Sequence, residues 1–300
     1  MANLTEIQNR IRSVRDTQKI TNAMYMIAST KMKKAKSELD LTKPFFDAVH
    51  EEIKRIFRST NIVDSKYLYP ESASEVLDGQ YGCLVITADK GLAGAYNLNV
   101  LKEGKKLYDD HNDLKLFVVG EYGRQYFNQH HVPIAQSFLY TAQNPTVERA
   151  REIAHVLLDE YNNGGLEKIF IVYTDFKNGM ATETRSERII PFHHSHFYST
   201  PAEKAMDQPL ELLPSPGVIL DNMIESYITG FIYSALVDSF CCEQNARMTA
   251  MNSANQNAEK ILSELDVEYH RLRQAAITQE ITEVSAGAKA QKKKKHKEVS

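Results

Sequence analysis

Between Leu4 and Ile56, side chains taken in alternating steps of three and four residues are nearly all apolar: Leu4, Ile7, Ile11, Val14, Tyr25, Ala28, Met32, Ala35, Leu39, Phe46, Val49, Ile53 and Ile56, interrupted only by Gln18, Thr21 and Thr42. Such a heptad seam specifies a helix that must lie against another helix. At 1.5 Å per residue it would be on the order of 80 Å long, more than a compact domain of this chain's size can surround. Pro44 lacks an amide hydrogen and collides with the preceding turn, so a kink or break is expected near Thr42–Pro44.

The partner is at the other end of the chain. From about Glu211 to Gly287 runs a second helical pattern, with Met223, Tyr227 and Phe231 early and Met251, Ala254, Ala258, Ile261, Leu265, Leu272 and Ala275 later. Two such helices at opposite chain ends pair antiparallel if the segment between them folds as a domain that reverses direction. Charge favours the pairing modestly. Residues 1–60 carry twelve basic and seven acidic side chains, residues 211–287 four and eleven.

Between the helices the period changes. Tyr81–Thr87, Leu114–Val119 and Lys168–Thr174 read as buried strands, followed by helices over Asn97–Asp109, Glu121–Gln129 and Val147–Tyr161. This alternation predicts a three-layer, Rossmann-like α/β domain with a mostly parallel sheet over residues 75–200, with Glu183–Phe192 adding an edge strand. The expected fold class is therefore α/β: a long antiparallel coiled coil (residues 1–60 and 211–287) plus a central α/β domain. A basic, disordered tail is expected over 288–300.

An α/β domain raises the question of nucleotide binding. The glycine-containing turn Asp89–Asn97 has neither the GxGxxG spacing nor the Lys-Ser/Thr ending that cradles phosphates, and reads as a tight strand-to-helix turn. His50-Glu51-Glu52-Ile53-Lys54 has lysine where a zinc helix needs its second histidine. His193, His194 and His196 have no neighbouring cysteine or carboxylate motif and read as a solvated loop, and no GxSxG elbow is present. Cys83, Cys241 and Cys242 make an odd count, which points to a reducing compartment and to packing rather than disulfides. No catalytic, metal or cofactor residues are expected. The N-terminal residues show no export signal, and Tyr227–Cys242 is too short and polar to span a bilayer. From Arg10 to Lys36 eight basic residues face one acid, Asp16. Such a face suits a nucleic acid, an acidic protein loop or plain solvent.

Ile11–Met32, reading IRSVRDTQKITNAMYMIASTKM, closely resembles the amino-terminal signature of F-type ATP synthase gamma subunits. Asn245–Met251 (NARMTAM), Asn257-Ala258 and above all Arg273–Glu283 (RQAAITQEITE) resemble the family's carboxy-terminal signature, and Asp89–Asn97 is similar to its turn after the first strand. The resemblance implies a non-catalytic rotor shaft within a hexamer of alpha and beta subunits, coupling proton- or sodium-driven rotation of a membrane c-ring to ATP synthesis, or running in reverse by hydrolysis. It implies that Met24, Lys31, Lys33 and Lys34 face an acidic lever loop of beta, and that Arg247, Arg273, Gln274, Thr278 and Glu280 form a polar catch against beta loops. Epsilon and the c-ring would bind the α/β domain, nucleic acid would not be a partner, and the protein would lie peripherally at the cytoplasmic face of a bacterial cell membrane. Two positions depart from the family pattern: Tyr25, where many relatives carry glutamate, and the run Lys292–Lys295 beyond the apolar tip. The lysine run is expected to emerge from the open end of the hexamer, because burying it in an apolar sleeve would desolvate its charges.

Overall fold

A computed structural model describes residues 4–59, 65–68, 79–111, 113–139, 141–177, 181–192 and 213–297. Its elements are α1 (Leu4–Ser59), β1 (Tyr81–Ile86), α2 (Tyr96–Asp110), β2 (Leu114–Val119), α3 (Glu121–Gln129), β3 (Ile134–Phe138), α4 (Val147–Asn162), β4 (Lys168–Lys177), β5 (Ala181–Ile190) and α5 (Pro216–Lys297). They form two compact units, one of Met1–Ile27 with Thr249–Ser300 and one of Ala28–Met248. The division cuts through both long helices instead of following their ends.

In the first unit α1 and α5 run antiparallel. Gln8 Nε2 donates to the Tyr269 hydroxyl at 3.0 Å, Arg15 lies 3.9 Å from Asp266, Gln18 Nε2 donates to Glu259 at 3.4 Å, and Thr21 bonds Asn255. Rising numbers on one helix meet falling numbers on the other. Ile7, Ile11 and Leu265 are buried in the seam, flanked by Val14, Leu262, Tyr269 and Leu272. These apolar side chains, not the exposed polar pairs, hold the helices together, since surface ion pairs contribute only about 0–1 kcal/mol each.

The second unit carries a five-stranded sheet in the order β3-β2-β1-β4-β5, parallel except for the antiparallel pair β4–β5. Alternate residues of β1 point to opposite faces. Leu84 and Ile86 join Phe117, Ile169 and Ile171 in a core closed by Ile153 and Leu157 of α4 and Leu220, Ile224, Ile228, Ile232 and Leu236 of α5. Cys83 and Val85 join Leu116, Val118 and Val172 against Tyr96, Val100 and Leu101 of α2 and Phe127 of α3. The three-layer expectation is met, and the strands read from sequence stand close to where they were expected. Strand β3 was missed. Its sequence IAQSF offers large apolar side chains only at its two ends, as suits an edge strand paired to β2 alone.

At two places where the sequence suggested that helix would be lost, the structure has continuous helix. Helix α1 passes through Pro44 without a break. Ala35, Ile53 and Ile56, with half-buried Leu39, Phe46 and Val49, dock both sides of the proline on the same core, while Asp40, whose carbonyl loses its amide partner, is exposed to water. Helix α5 continues to Lys297, where a disordered tail was expected from 288. Alanine, lysine and glutamine dominate 286–297, all strong helix formers, and Gly287 alone does not stop them. The histidine group at 193–196 lies outside the described residues.

Gly230 lets α1 approach α5 closely, since a Cβ there would stand 2.2 Å from Phe46 Cδ1. Although alanine favours helix, Gly230→Ala is expected to destabilise the chain by about 1–2 kcal/mol, seen as a lower thermal midpoint, because the half-buried ring must move. Asp238 of α5 supplies a pH test. Burial, and then the charge of Asp175, push its carboxyl from the ordinary 3.8 to about 7, with Lys43 opposing. Between these values the folded chain holds a proton that the unfolded chain has lost, so this stabilising contribution is complete below the unfolded value and disappears as pH rises through about 7. Asp238→Asn should therefore gain stability relative to the parent between pH 5 and pH 8, measured by thermal unfolding at both.

Candidate partner-binding surfaces

In the α/β unit the turn after β1 is fixed from several sides. The Ala88 amide donates to Asn97 Oδ1 at 2.9 Å, the Tyr122 amide to the Ala88 carbonyl at 3.0 Å, and the Glu121 amide to Asp89 Oδ1 at 2.9 Å. Leu92 and Gly94 both have positive φ, 63° and 54°. Glycine takes that conformation freely, whereas Leu92 must be held in it, and its side chain is 64% exposed.

Arg247 of α5 closes the turn. Its Nη1 lies 2.5 Å from Glu243 Oε1, and its Nη2 donates to the Gly91 carbonyl at 3.0 Å and approaches the Lys90 carbonyl at 3.4 Å. The turn thus presents carbonyl oxygens to a guanidinium, the reverse of a phosphate cradle, which presents amide hydrogens. Burial pushes the Glu243 carboxyl up, opposed by Arg247 and by Lys31 on α1.

The sequence-expected contact residues divide into three environments. Lys31, Lys33 and Lys34 are exposed, Lys31 at the edge of the face that buries Ala28 and Ala35 and Lys33 on the far side; Lys34 makes a 3.7 Å ion pair with Glu38. Arg247 is committed within the fold, its side chain only 10% exposed. Sequence reasoning missed this engagement, although the i,i+4 spacing of Glu243 and Arg247 was a visible signal.

In the other unit Met24 and Tyr25 of α1 are half-buried, while Ile20, Met26 and Ile27 are exposed. Every residue of α5 from Arg273 to Lys289 is exposed. Their spacings place Arg273, Gln274, Thr278 and Glu280 on one side of the helix together with Ile277, Ile281 and Val284, which are 45%, 64% and 73% exposed. The Thr278 hydroxyl donates to the Gln274 carbonyl of its own helix at 2.9 Å. This uncovered mixed surface is suited to contact with another protein.

Among the described residues no group of three or more histidine, cysteine or acidic side chains could hold a metal ion. Cys83, Cys241 and Cys242 are buried thiols, and burial raises the first two to about 12 and about 11 and the third well above its ordinary range. They are unreactive packing residues. No helix is long and apolar enough to cross a membrane among the described residues.

Residues 3–291 match the ATP synthase family ATP-synt. The gamma chain of Caldanaerobacter subterraneus subsp. tengcongensis is 42% identical over 291 residues, covering 94% of this chain and 98% of that one. The chain belongs to the ATP synthase gamma chain family. The relative from Acetobacterium woodii, named as sodium ion specific, is 32% identical over 302 residues, covering 96% of this chain and 98% of that one. The fold agrees with a rotor chain of the Euglena gracilis mitochondrial ATP synthase, at TM-score 0.64 and 12% identity over 91% of this chain and 98% of that one. It agrees also with a central stalk/c-ring chain from Tetrahymena thermophila, at TM-score 0.57 and 24% identity over 78% and 99%. A gamma chain is a non-catalytic subunit of its complex. The run Lys292–Lys295 lies beyond the matched residues.

Removing Arg247 strands a buried carboxylate and two carbonyl oxygens. Arg247→Ala is expected to cost about 3 kcal/mol of stability, and Arg247→Ala combined with Glu243→Gln distinctly less, as measured by denaturant unfolding.

Proposed function

We propose that this chain is the central rotor shaft of an F-type ATP synthase, coupling ion-driven rotation of a membrane ring to synthesis at catalytic sites on beta subunits, and hydrolysis in reverse. The observation that carries this reading is the family match over residues 3–291, joined to a helix end, Arg273–Lys289, left uncovered over its whole circumference. An uncovered helix displaying Ile277, Ile281 and Val284 calls for a surrounding protein surface, which an alpha–beta hexamer provides. Because the shaft is not symmetric about its own axis, each beta subunit meets different side chains at each angle. Those differences in contact energy bias each site between open and closed forms.

Within this reading Met24, Lys31, Lys33 and Lys34 meet the acidic lever loop of beta, and Arg273, Gln274, Thr278 and Glu280 form the polar catch. Arg247 reaches that contact through the turn it closes, because its guanidinium is already bonded to Glu243 and Gly91. Epsilon and the c-ring bind the α/β domain, and the complex lies peripherally at the cytoplasmic face of a bacterial cell membrane. Lys292–Lys295 leaves the hexamer through its open end.

Reconstitution with alpha and beta subunits tests the assignment. One copy of this chain should co-purify with each hexamer and sustain ATP hydrolysis that the hexamer alone does not. Replacing Lys31, Lys33 and Lys34 together by glutamine should lower turnover by about two- to tenfold and weaken its dependence on salt. A chain that folds yet never joins the hexamer would contradict the rotor assignment.

A further inference from the structure

The sheet reverses its direction of growth between β1 and β4: from β1 the chain adds β2 and β3 on one side, then β4 and β5 on the other. In open α/β sheets the crevice outside the C-terminal ends of such a strand pair is the usual place for a ligand. Here α5 fills it. Ser239, 1% exposed, accepts the Thr174 amide of β4 at 3.2 Å. The Tyr96 hydroxyl, which faces Ser239, donates to the Ile86 carbonyl at the end of β1, at 3.3 Å. One turn along α5, the Cys242 thiol donates to the Thr174 carbonyl at 3.6 Å. Buried hydrogen bonds therefore tie α5 to β4 and bring Ser239 against the Tyr96 hydroxyl that is bonded to the end of β1.

The neighbouring α5 side chains Ile232, Leu236 and Phe240 share an apolar cluster with Ile171 and Tyr173. Apolar attraction resists separation but has no direction, and packed helices can shift along one another by as much as a turn. Hydrogen bonds to fixed strand ends prevent that shift. The network places them at the one point where two strand ends diverge.

We propose that the Ser239 network is the torque-bearing joint between the α/β domain and α5, with Ser239 and Tyr96 as positioning residues that keep the helix in register under load. The inference rests on the rotor assignment. Load from the ring enters at the α/β domain and reaches the catalytic hexamer through α5, so slippage at this joint dissipates rotation without affecting the chemistry. In the detached soluble complex nothing loads the joint.

The test compares the whole complex in proteoliposomes with the detached soluble complex, using Ser239→Ala and, separately, Tyr96→Phe, which removes a hydroxyl and keeps the ring. The ratio of ATP-driven ion pumping to ATP hydrolysis should fall by about fivefold, the factor to which one hydrogen bond of ordinary net strength amounts. Hydrolysis by the detached complex should stay near the parent value, and the thermal midpoint of the assembled chain should fall only by the few degrees that the loss of one buried hydrogen bond amounts to. An unchanged ratio in both variants would overturn the joint, as would pumping and hydrolysis falling together with the thermal midpoint. If the unaltered chain fails to co-purify with alpha and beta subunits, the rotor assignment fails first and the joint with it.

Discussion

A helix with an apolar stripe along most of its length is not stable in water without something to cover that stripe, and here two such helices lie at opposite ends of one chain. Nucleation and fraying leave long isolated helices dependent on packing. The seam of Ile7, Ile11 and Leu265 shows how little side-chain volume is needed when it repeats with the helix. Much else follows from this covering requirement. The intervening segment must fold and return the chain, and Gly230 has no side chain where the Phe46 ring of α1 packs against α5. Where the covering partner runs out, beyond Leu272 on α5, apolar side chains are left for another protein to cover.

The α/β unit has the architecture of a ligand-binding domain and a different use for it. Both sheet faces are covered, as a parallel sheet requires, but the cover on one face is supplied by α4 together with the long helices. The crevice that would hold a ligand holds Ser239 and Cys242, and the glycine turn beside it directs its carbonyl oxygens at Arg247. The same topology that binds nucleotides in other proteins here binds a helix. Fold alone would have suggested an enzyme; the family match, to a non-catalytic subunit, gives the reading that fold cannot.

Long-period features were the most legible from sequence. The heptad seam, the buried runs of β1, β2 and β4, and the helices between them follow from burial patterns that only one local geometry can satisfy. Features decided by tertiary contacts were not legible. Strand β3 is held by pairing with β2 and not by its own hydrophobicity, so IAQSF carries no strand pattern. Pro44 is tolerated because apolar residues on either side dock on one core, which local reasoning about a missing amide hydrogen does not weigh. Among the contact residues, the i,i+4 spacing of Glu243 and Arg247 was visible in the sequence, but the capture of Arg247 by the turn carbonyls joins residues 156 and 157 positions apart along the chain.

That capture changes how an arginine can serve an interface. A free guanidinium on a helix surface would surrender several rotamers on meeting a partner, whereas Arg247 is already ordered by Glu243 and by two carbonyl oxygens. It orders Gly91 and Lys90 in turn, and with them Leu92, which holds a positive φ and an exposed side chain. What α5 displays through this route is therefore a preorganised turn and not a mobile charge. On the proposed rotor assignment, in which this turn meets a beta subunit repeatedly, a surface whose ordering cost is met once, on folding, loses less free energy at each encounter than one that must be ordered every time. The same reasoning explains why the carboxylate of Glu243 is retained in a buried place: without it the guanidinium would be unpaired there, and without the guanidinium the turn would lack the donor that closes it.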